Sequence, residues 1–542
     1  MPNGCYDAAM AVTAAGKRDR VPPATQKQRL KTILSRLYGD DRKLQWAILV
    51  FLIVFYGALL LCAWGEAARH FPLRLLFNNM LDHLMHGRFD MDFRFVEEEE
   101  GFYRNGHYYA YFGIWCALLR LPLWMIRRMD VDLTLCSVLV ATCIAGMAKV
   151  RTVLLIRRHG IRNRMTEWAV GMMLIYSVLG GCGIGNLNAS LYEEVILWAY
   201  AFASIFVYLA VKGIVNGHYS LQMLSGMAAC AGLALNTRVS GGIGLILAFA
   251  LLMLVLVTKP ETNTEAEPRP FPRRILRTLV SRRTLIPTGI LASLMAVSGM
   301  VNTFRWGNPF TFANWDIYLG WAPWPNMSDW WLSPELTIVH QFGTFNIIRI
   351  PFNFIYYFCP VWALHTTTVE EVLSTYWAGQ TIAQVEMPPS SFLLTDLFAF
   401  CFIALLAIAL WKRRSRGSSS AGRWAAAVAI GLLIPCMLML TAMWVAYRYR
   451  SEFYPEIQFL AFLGLFFTVT DERMQALVRR MRRWIGTVLL VSVAFSFLEL
   501  FLIDTGQSLA RPIGGMGLVK YYIQTTEDHL HKIFSVHPGT SR

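Results

Sequence analysis

The polar stretch around residue 90 holds the side chains whose types and spacing are best suited to chemistry. Asp90 and Asp92 are separated by one residue. One such carboxylate can act as a general base toward a hydroxyl group, and two together can share a divalent cation. His83 and His86 would share a helix face with Asp82, as a metal site requires, although a solvated face is the simpler explanation. The aspartate pair is therefore a candidate base, with metal binding as the less favoured alternative.

A further carboxylate candidate stands at the start of a long apolar run. Tyr192, Glu193 and Glu194 stand at the opening of that run. Acidic residues at a helix N-terminus complement the helix dipole, which explains them without any function. A carboxylate at the membrane border is costly unless it is paired or used, and this favours a functional role. Both interpretations stay open, and Glu194 is retained as a candidate site residue.

Arginines lie close to the ends of several apolar runs. Arg448 and Arg450 follow one run, and Arg238, Arg305 and Arg349 lie at or near the ends of others. A guanidinium can donate two parallel hydrogen bonds to phosphate oxygens. The pattern therefore predicts a pocket for an anionic ligand such as a lipid phosphate.

Residues 302–343 are rich in tryptophan, including Trp306, Trp315, Trp321 and Trp324. Tryptophan at the headgroup level is the ordinary interfacial belt of membrane proteins, and this is the favoured explanation. The alternative is an aromatic platform for a sugar ring or a polyprenyl chain.

The composition assigns these residues to a membrane protein. The chain has 542 residues, of which 55% are hydrophobic and only 16% charged, with a mean hydropathy of +0.42. The net charge of +15 lies in short clusters between apolar runs, so it indicates membrane topology and not nucleic-acid binding. Most of the ten cysteines fall inside apolar runs without C-x-x-C spacing, which predicts core residues and not disulfides. We expect no signal peptide, because residues 1–44 are polar and basic.

Thirteen apolar runs approach the roughly 20 residues that span a bilayer. The basic stretch 17–43 predicts a cytoplasmic N-terminus. If every run crossed, the arginine-rich loop at 151–164 would lie outside, so we predict that 109–126 does not cross but lies along the external interface or re-enters there. The same conflict predicts that 344–364 does not cross. The thirteen runs are 45–64, 109–126, 131–153, 166–183, 193–213, 219–236, 241–258, 285–301, 344–364, 390–411, 423–446, 452–470 and 484–505.

These positions predict an all-α polytopic membrane protein with about eleven crossings, within a range of ten to thirteen. Residues 1–44 would form a basic cytoplasmic segment, and 45–505 a transmembrane domain. Within that domain, 65–130 would be a first external loop with juxtamembrane helices, and 302–389 a second external region. Residues 506–542 would form an external tail.

Short motifs recur in the order found in one enzyme class. The chain resembles bacterial GT-C membrane glycosyltransferases related to protein mannosyltransferases and aminoarabinose transferases over about residues 78–455. The Asp-Glu pair usual after the first span of that family is absent, and Glu66, Arg74 and Asn78 occupy its region. The matching stretches are His86–Phe89, Gly101–Tyr109, Tyr111–Gly113, Leu121–Pro122, Tyr192–Trp198, Thr237–Ser240, Asn302–Pro309 and Arg448–Pro455.

The resemblance implies a GT-C-like helix bundle and an inverting sugar transfer from a polyprenyl phosphate donor on the external face. The base would be Asp92 or Asp90, with Glu194 as a carboxylate of the second loop. The expected donor-binding residues are Arg448, Arg450, Arg305, Arg238, Tyr192 and Tyr109.

The class also implies partners and a location. The acceptor would be a glycan, lipid or protein, and membrane lipids would surround the helices. The location would be the bacterial inner membrane, with the active site facing the periplasm. No cofactor and no nucleic acid are expected. The alternatives are a transporter or flippase of lipid-linked sugars, which would need ionisable residues along a path through the membrane, and a polymerase or ligase of lipid-linked polysaccharide.

Overall fold

The computed structural model describes residues 40–67, 73–185, 187–258, 279–320, 333–359, 381–385, 390–413 and 420–504. Residues 1–48 form one unit, of which the described part begins the first helix, and residues 49–542 form a second. The predicted basic N-terminal segment and the predicted tail 506–542 lie almost entirely outside the described residues. The described chain is predominantly helical, so the predicted all-α class is confirmed.

The elements alternate between long apolar helices and short connecting ones. In the N-terminal half they are α1 (Asp41–Ala67), a 3₁₀ turn (Leu73–Leu75), α2 (Leu76–Met85), α3 (Phe93–Glu100), β1 (Phe102–Arg104), β2 (His107–Tyr109), α4 (Trp115–Leu118), α5 (Leu121–Met125), α6 (Thr134–His159), α7 (Arg164–Leu179), α8 (Cys182–Gly185), α9 (Leu191–Asn216), α10 (Leu221–Leu235) and α11 (Val239–Thr258).

In the C-terminal half they are α12 (Arg282–Trp306), a 3₁₀ turn (Trp315–Ile317), α13 (Pro334–Phe342), a 3₁₀ turn (Ile347–Arg349), α14 (Ile350–Phe358), β3 (Gln384–Val385), α15 (Phe392–Thr395), α16 (Leu397–Arg413), α17 (Ser420–Thr441), β4 (Trp444–Val445), a 3₁₀ helix (Tyr447–Glu452), α18 (Tyr454–Thr470) and α19 (Glu472–Asp504).

Seven helices among the described residues are long and apolar enough to cross a membrane: α6, α9, α11, α12, α17 and large parts of α1 and α19. Three shorter apolar helices, α10, α16 and α18, accompany them. Together with α7, these helices coincide with the eleven apolar runs that we expected to cross. The chain is a multi-pass membrane protein by this measure.

The two runs predicted not to cross form no long helix. Run 109–126 contains only α4 and α5, of four and five residues. The described part of run 344–364 contains a 3₁₀ turn and the nine-residue α14. A helix needs roughly 20 residues to cross, so within the described residues neither run contains a helix long enough to span the membrane.

Local sequence features set several helix ends. The Asn163 side chain accepts hydrogen bonds from the backbone N–H groups of Met165 and Thr166 and so caps α7. Gly217 follows α9 with a φ of 73°, a left-handed conformation that suits glycine at a helix C-terminus. Close helix packing also depends on small residues: a side chain at Gly431 of α17 would overlap with Ala248 of α11.

The first loop after α1 is ordered around a β-hairpin. Strands β1 and β2 are antiparallel, with Phe102 opposite Tyr109. Asn105 and Gly106 join them with positive φ values of 52° and 83°, as a tight hairpin turn requires. The hairpin also contacts the second loop, because Phe102 forms an isolated β-bridge with Tyr318.

Candidate active site

The loop that carries Asp90 and Asp92 is held between α2 and the hairpin. Gly87 adopts a positive φ of 73° after α2, which turns the chain. The Met91 N–H then donates to the Tyr108 carbonyl at 2.8 Å. Because side chains alternate along an extended segment, Asp90 and Asp92 lie on the same side of it. Both carboxylates contact His83 of α2.

Asp90 is buried and surrounded by an arginine and two histidines. Arg88 donates two hydrogen bonds to its oxygens, at 3.0 and 2.8 Å. The Nδ1 atoms of His107 and His83 lie 2.8 and 3.2 Å from its oxygens. Burial alone would raise the pKa of Asp90, but the hydrogen bonds from Arg88, His107 and His83 hold it far below its usual range. This carboxylate therefore stays ionised and fixes the loop to the hairpin.

Asp92 occupies a different environment, with 46% of its side chain exposed. The Asn79 Nδ2 donates to Asp92 Oδ2 at 2.9 Å, and the Asp92 backbone N–H donates back to Asn79 Oδ1 at 3.1 Å. Its other oxygen lies 3.5 Å from His83 Nε2. Asp92 is thus oriented by two neighbours while one face remains open to solvent.

Glu194 is fully buried and paired with Arg120. Two guanidinium nitrogens of Arg120 donate to its two oxygens, one of them at 2.8 Å. Arg120 also donates to the Cys116 carbonyl at 3.0 Å and lies over the Phe77 ring. The arrangement fixes the short helices α4 and α5 against the start of α9.

Arg448 and Arg238 share one aromatic neighbour. The Arg448 guanidinium lies 4.5 Å from the centre of the Tyr192 ring and 5.8 Å from that of Tyr449. The Arg238 guanidinium lies 4.9 Å from the centre of the Tyr449 ring and forms an ion pair with Glu452. Arg448 is only half-buried. The cluster brings two cationic groups to the point where α9, α11 and the 447–452 helix begin.

The other candidate arginines are buried. Arg450 pairs with Glu499 at 2.7 Å and with Asp396 at 3.3 Å. Arg349 donates to four backbone carbonyls, those of Thr381, Thr344, Thr441 and Gly343. Through these contacts, Arg450 and Arg349 each connect separate segments of the chain in the interior.

Arg305 resembles Arg349 and differs from Arg450 in its partners. It is 2% exposed and donates to the Phe112 carbonyl at 2.7 Å. None of the carboxylates that the structure describes pairs with it. Within the described chain, its guanidinium therefore donates hydrogen bonds only to neutral groups.

Aromatic rings connect the carboxylate loop with the arginine cluster. Tyr109 contacts Trp306, which contacts Phe102, with ring centres 5.8 and 5.4 Å apart. Phe102 contacts Tyr111 at 6.0 Å. From there the contacts continue through Phe112 to Tyr192, the ring beneath Arg448. We call this the aromatic layer.

The structure brings together most of the predicted site residues along the aromatic layer: Tyr109, Tyr192, Arg448, Arg238 and Arg305. Asp90 and Asp92 adjoin its Tyr109 end through the hairpin. Burial, followed by the charge of Asp90, raises the pKa of Tyr109. Trp315 contacts Tyr111 and Tyr318, while Trp321 and Trp324 lie outside the described residues.

The sequence pattern did not reveal which side chains pair with these site residues. Asn79 was not singled out, although it orients Asp92. Arg120 interrupts the apolar run 109–126, and a charge in such a run requires a partner, so its presence pointed to a buried carboxylate. Asp396 and Glu499 carried the same signal and pair with Arg450. Among the described residues, no group of three or more His, Cys, Asp or Glu is arranged to hold a metal ion.

No family model and no curated protein matches the chain. Similar solved structures are of the archaeal oligosaccharyltransferase AglB from Archaeoglobus fulgidus. The complex with an inhibitory peptide and a dolichol-phosphate has a TM-score of 0.43 and 12% identity, over 85% of this chain and 56% of that one. The apo form has a TM-score of 0.43 and 12% identity, over 90% of this chain and 56% of that one. This chain thus spans about half the length of those proteins.

Proposed function

We propose that this protein is a GT-C-type membrane glycosyltransferase that moves a sugar from a polyprenyl phosphate donor to an acceptor hydroxyl, with inversion at the sugar carbon. One observation carries the proposal. Asp92 is half exposed, is held in place by Asn79 and has no guanidinium partner among the described residues. Asp90 and Glu194, the other two candidate carboxylates, are occupied by arginines.

Asp92 is the proposed general base. The acceptor oxygen attacks the anomeric carbon of the sugar and loses its proton to a carboxylate oxygen of Asp92. The bond from that carbon to the phosphate oxygen breaks, and the electron pair leaves with the polyprenyl phosphate. Asn79 and His83 hold Asp92, and Asp90 holds His83 in turn. A base held in this way keeps one oxygen within reach of an acceptor.

Arg448 is the proposed partner of the leaving phosphate. Negative charge grows on the phosphate oxygens as the bond to the sugar breaks, and a guanidinium placed there lowers the barrier. Arg448 is half-buried on the Tyr192 and Tyr449 rings, which orient it. Arg238 fixes Tyr449 from the other side. We assign Arg305 and Arg450 to positioning, because both are buried.

The aromatic layer lies between the proposed base and the proposed phosphate site. Aromatic faces pack against the apolar face of a sugar ring and against isoprene units. Tyr109 belongs to this layer, and Trp315 contacts it through Tyr111; both rings are partly buried. The layer would therefore form a platform for the sugar ring and the first isoprene units of the donor. We place the site on the periplasmic face of the inner membrane, with a glycan, lipid or protein as acceptor.

Replacing Asp92 by Asn tests the proposal. General-base catalysis contributes about 10²–10⁴-fold, so Asp92→Asn should lower the rate of sugar release from a panel of polyprenyl phosphate sugars by roughly that factor. Binding of undecaprenyl phosphate, the portion common to such donors, should be retained. Asp82→Asn is the matched control, because the Asp82 side chain is also 46% exposed and lies on the same helix as His83. Its turnover should equal that of the wild type.

Three results would contradict the proposal. Wild-type turnover in Asp92→Asn would remove the base. Movement of the lipid-linked sugar across proteoliposomes by the wild type, without transfer to any acceptor, would favour a transporter. Polymer formed from the donor sugars alone would instead place the protein among the polymerases of lipid-linked polysaccharide.

A further inference from the structure

A second potential binding site lies on α7 and α19, far from the aromatic layer. It is a groove of about 640 Å³ between these helices. Apolar side chains form most of its wall, among them Trp168, Met172, Ile175, Leu489, Leu490 and Val493. Arg482 and Arg483 line it as well. An apolar wall with paired cations at one end matches the two parts of an anionic lipid.

The arginines of this groove are available to a ligand. Both side chains are exposed, and neither has an ion-pair partner in the part of the chain that the structure describes. Trp484 follows them and is 74% exposed. Exposed tryptophan beside arginine is typical of the headgroup level of a membrane. The cationic end of the groove therefore lies where a lipid phosphate lies.

The groove is separate from the proposed active site. Arg482 and Glu499 both belong to the continuous helix α19. At about 1.5 Å per residue, these positions are about 25 Å apart along the helix axis. Glu499 pairs with Arg450, two residues from Arg448. Arg482 and Arg483 thus lie toward the end of α19 opposite to the end that holds Glu499.

We propose that this groove binds an anionic glycerophospholipid. One acyl chain would lie along the apolar wall between α7 and α19, and the phosphodiester would accept hydrogen bonds from Arg482 and Arg483. Basic pockets between membrane helices bind lipid headgroups in this way. The bound lipid would bridge the two helices and stabilise their packing.

Native mass spectrometry of the full-length protein with phosphatidylglycerol tests the headgroup contact. Phosphatidylcholine with the same acyl chains is the reference lipid. The wild type should retain phosphatidylglycerol in preference. Arg482→Gln with Arg483→Gln should lower that retention by roughly tenfold or more. Arg479→Gln with Arg480→Gln removes the same charge one turn away, at exposed residues that do not line the groove, and should retain the lipid.

A second pair of variants tests the acyl chain without changing charge. Gly486 lines the groove, and a Cβ there would meet nothing within 4 Å. Gly486→Phe should therefore fold, fill the groove and lower phosphatidylglycerol retention. Gly171→Phe is the control, because it also enters open space but does not line the groove. The lipid should raise the melting temperature of the control and not that of Gly486→Phe.

Three outcomes would overturn the proposal. Equal losses in the two arginine pairs would indicate diffuse attraction to the basic helix. Undiminished retention in Arg482→Gln with Arg483→Gln would remove the headgroup contact. Displacement of phosphatidylglycerol by an equal concentration of undecaprenyl phosphate would assign the groove to a polyprenyl lipid instead.

Discussion

At the scale of single residues, environment separates two chemically identical side chains. Asp90 is buried among Arg88, His107 and His83, whereas Asp92 is half exposed beside Asn79. The D-x-D spacing predicted that one of them serves as a base but not which one. That difference depends on Asn79 and His107, whose positions follow only from folding. The pair thus divides into a structural carboxylate and a proposed base.

Asp90 should contribute stability that depends on pH in one direction. Its pKa is lowered on folding, so the stabilisation is full above the unfolded value of about 3.9 and is lost as the pH falls below it. Asp90→Asn should destabilise the protein by about 1–3 kcal/mol at pH 7, because a neutral amide weakens the hydrogen bonds that the buried carboxylate accepts from Arg88, His107 and His83. The melting-temperature difference from the wild type should shrink below about pH 4. A difference independent of pH would contradict this account.

The contact with the lipid phosphate should depend on Arg448. Arg448→Ala should weaken binding of undecaprenyl phosphate by about 1.5–3 kcal/mol, the value of a hydrogen bond to a charged group. Arg448→Lys should restore only part of it, because an ammonium cannot form the same paired hydrogen bonds. Arg94→Ala is the control, since Arg94 is an exposed arginine of α3 that stacks on Phe95, away from the Tyr192 and Tyr449 rings. Unchanged affinity of Arg448→Ala for undecaprenyl phosphate, measured by titration calorimetry in detergent, would exclude Arg448 from the phosphate site.

At the scale of elements, the apolar runs predicted the long helices well, while the connections depended on distant pairs. Run 109–126 was predicted not to cross the membrane, because the arginine-rich loop 151–164 would otherwise lie outside. Its attachment was not predictable, because Arg120 reaches Glu194, 74 positions along the chain. Asn78 likewise donates to the carbonyls of Met129 and Val131. Pattern within a window of about 20 residues cannot reveal such partners.

The Arg120–Glu194 pair should stabilise the attachment of α4 and α5 to α9. Both side chains are fully buried, so Arg120→Met alone should cost about 3–5 kcal/mol, because Glu194 keeps an unpaired buried charge. Arg120→Met combined with Glu194→Leu should recover most of that loss. Thermal unfolding of the wild type, of Arg120→Met, of Glu194→Leu and of the double variant in detergent gives the coupling energy. Additive losses in the double variant would show that the two side chains do not interact.

At the scale of the whole molecule, charge near the helix ends and apolar length within the helices predict the topology. Arginines crowd residues 151–164 and 473–483, and the long helices begin and end beside them. The same rule makes the arginines at 448 and 450 unusual, since it places them on the external side. The proposed lipid phosphate would explain Arg448, and an internal ion pair explains Arg450. Membrane orientation thus stays a prediction from the sequence, whereas the distinction between Arg448 and Arg450 required their neighbours.

The position of the hairpin relative to the 160–163 loop tests this topology. Between Asn105 and Arg162 the only helix long enough to cross is α6, since α4 and α5 have four and five residues. Both residues are exposed. In spheroplasts, a membrane-impermeant maleimide should label Asn105→Cys before lysis and Arg162→Cys only after it, with wild-type labelling subtracted. If 109–126 crossed as well, both positions would react on the same side, and the proposed base would then share a face with the basic loop.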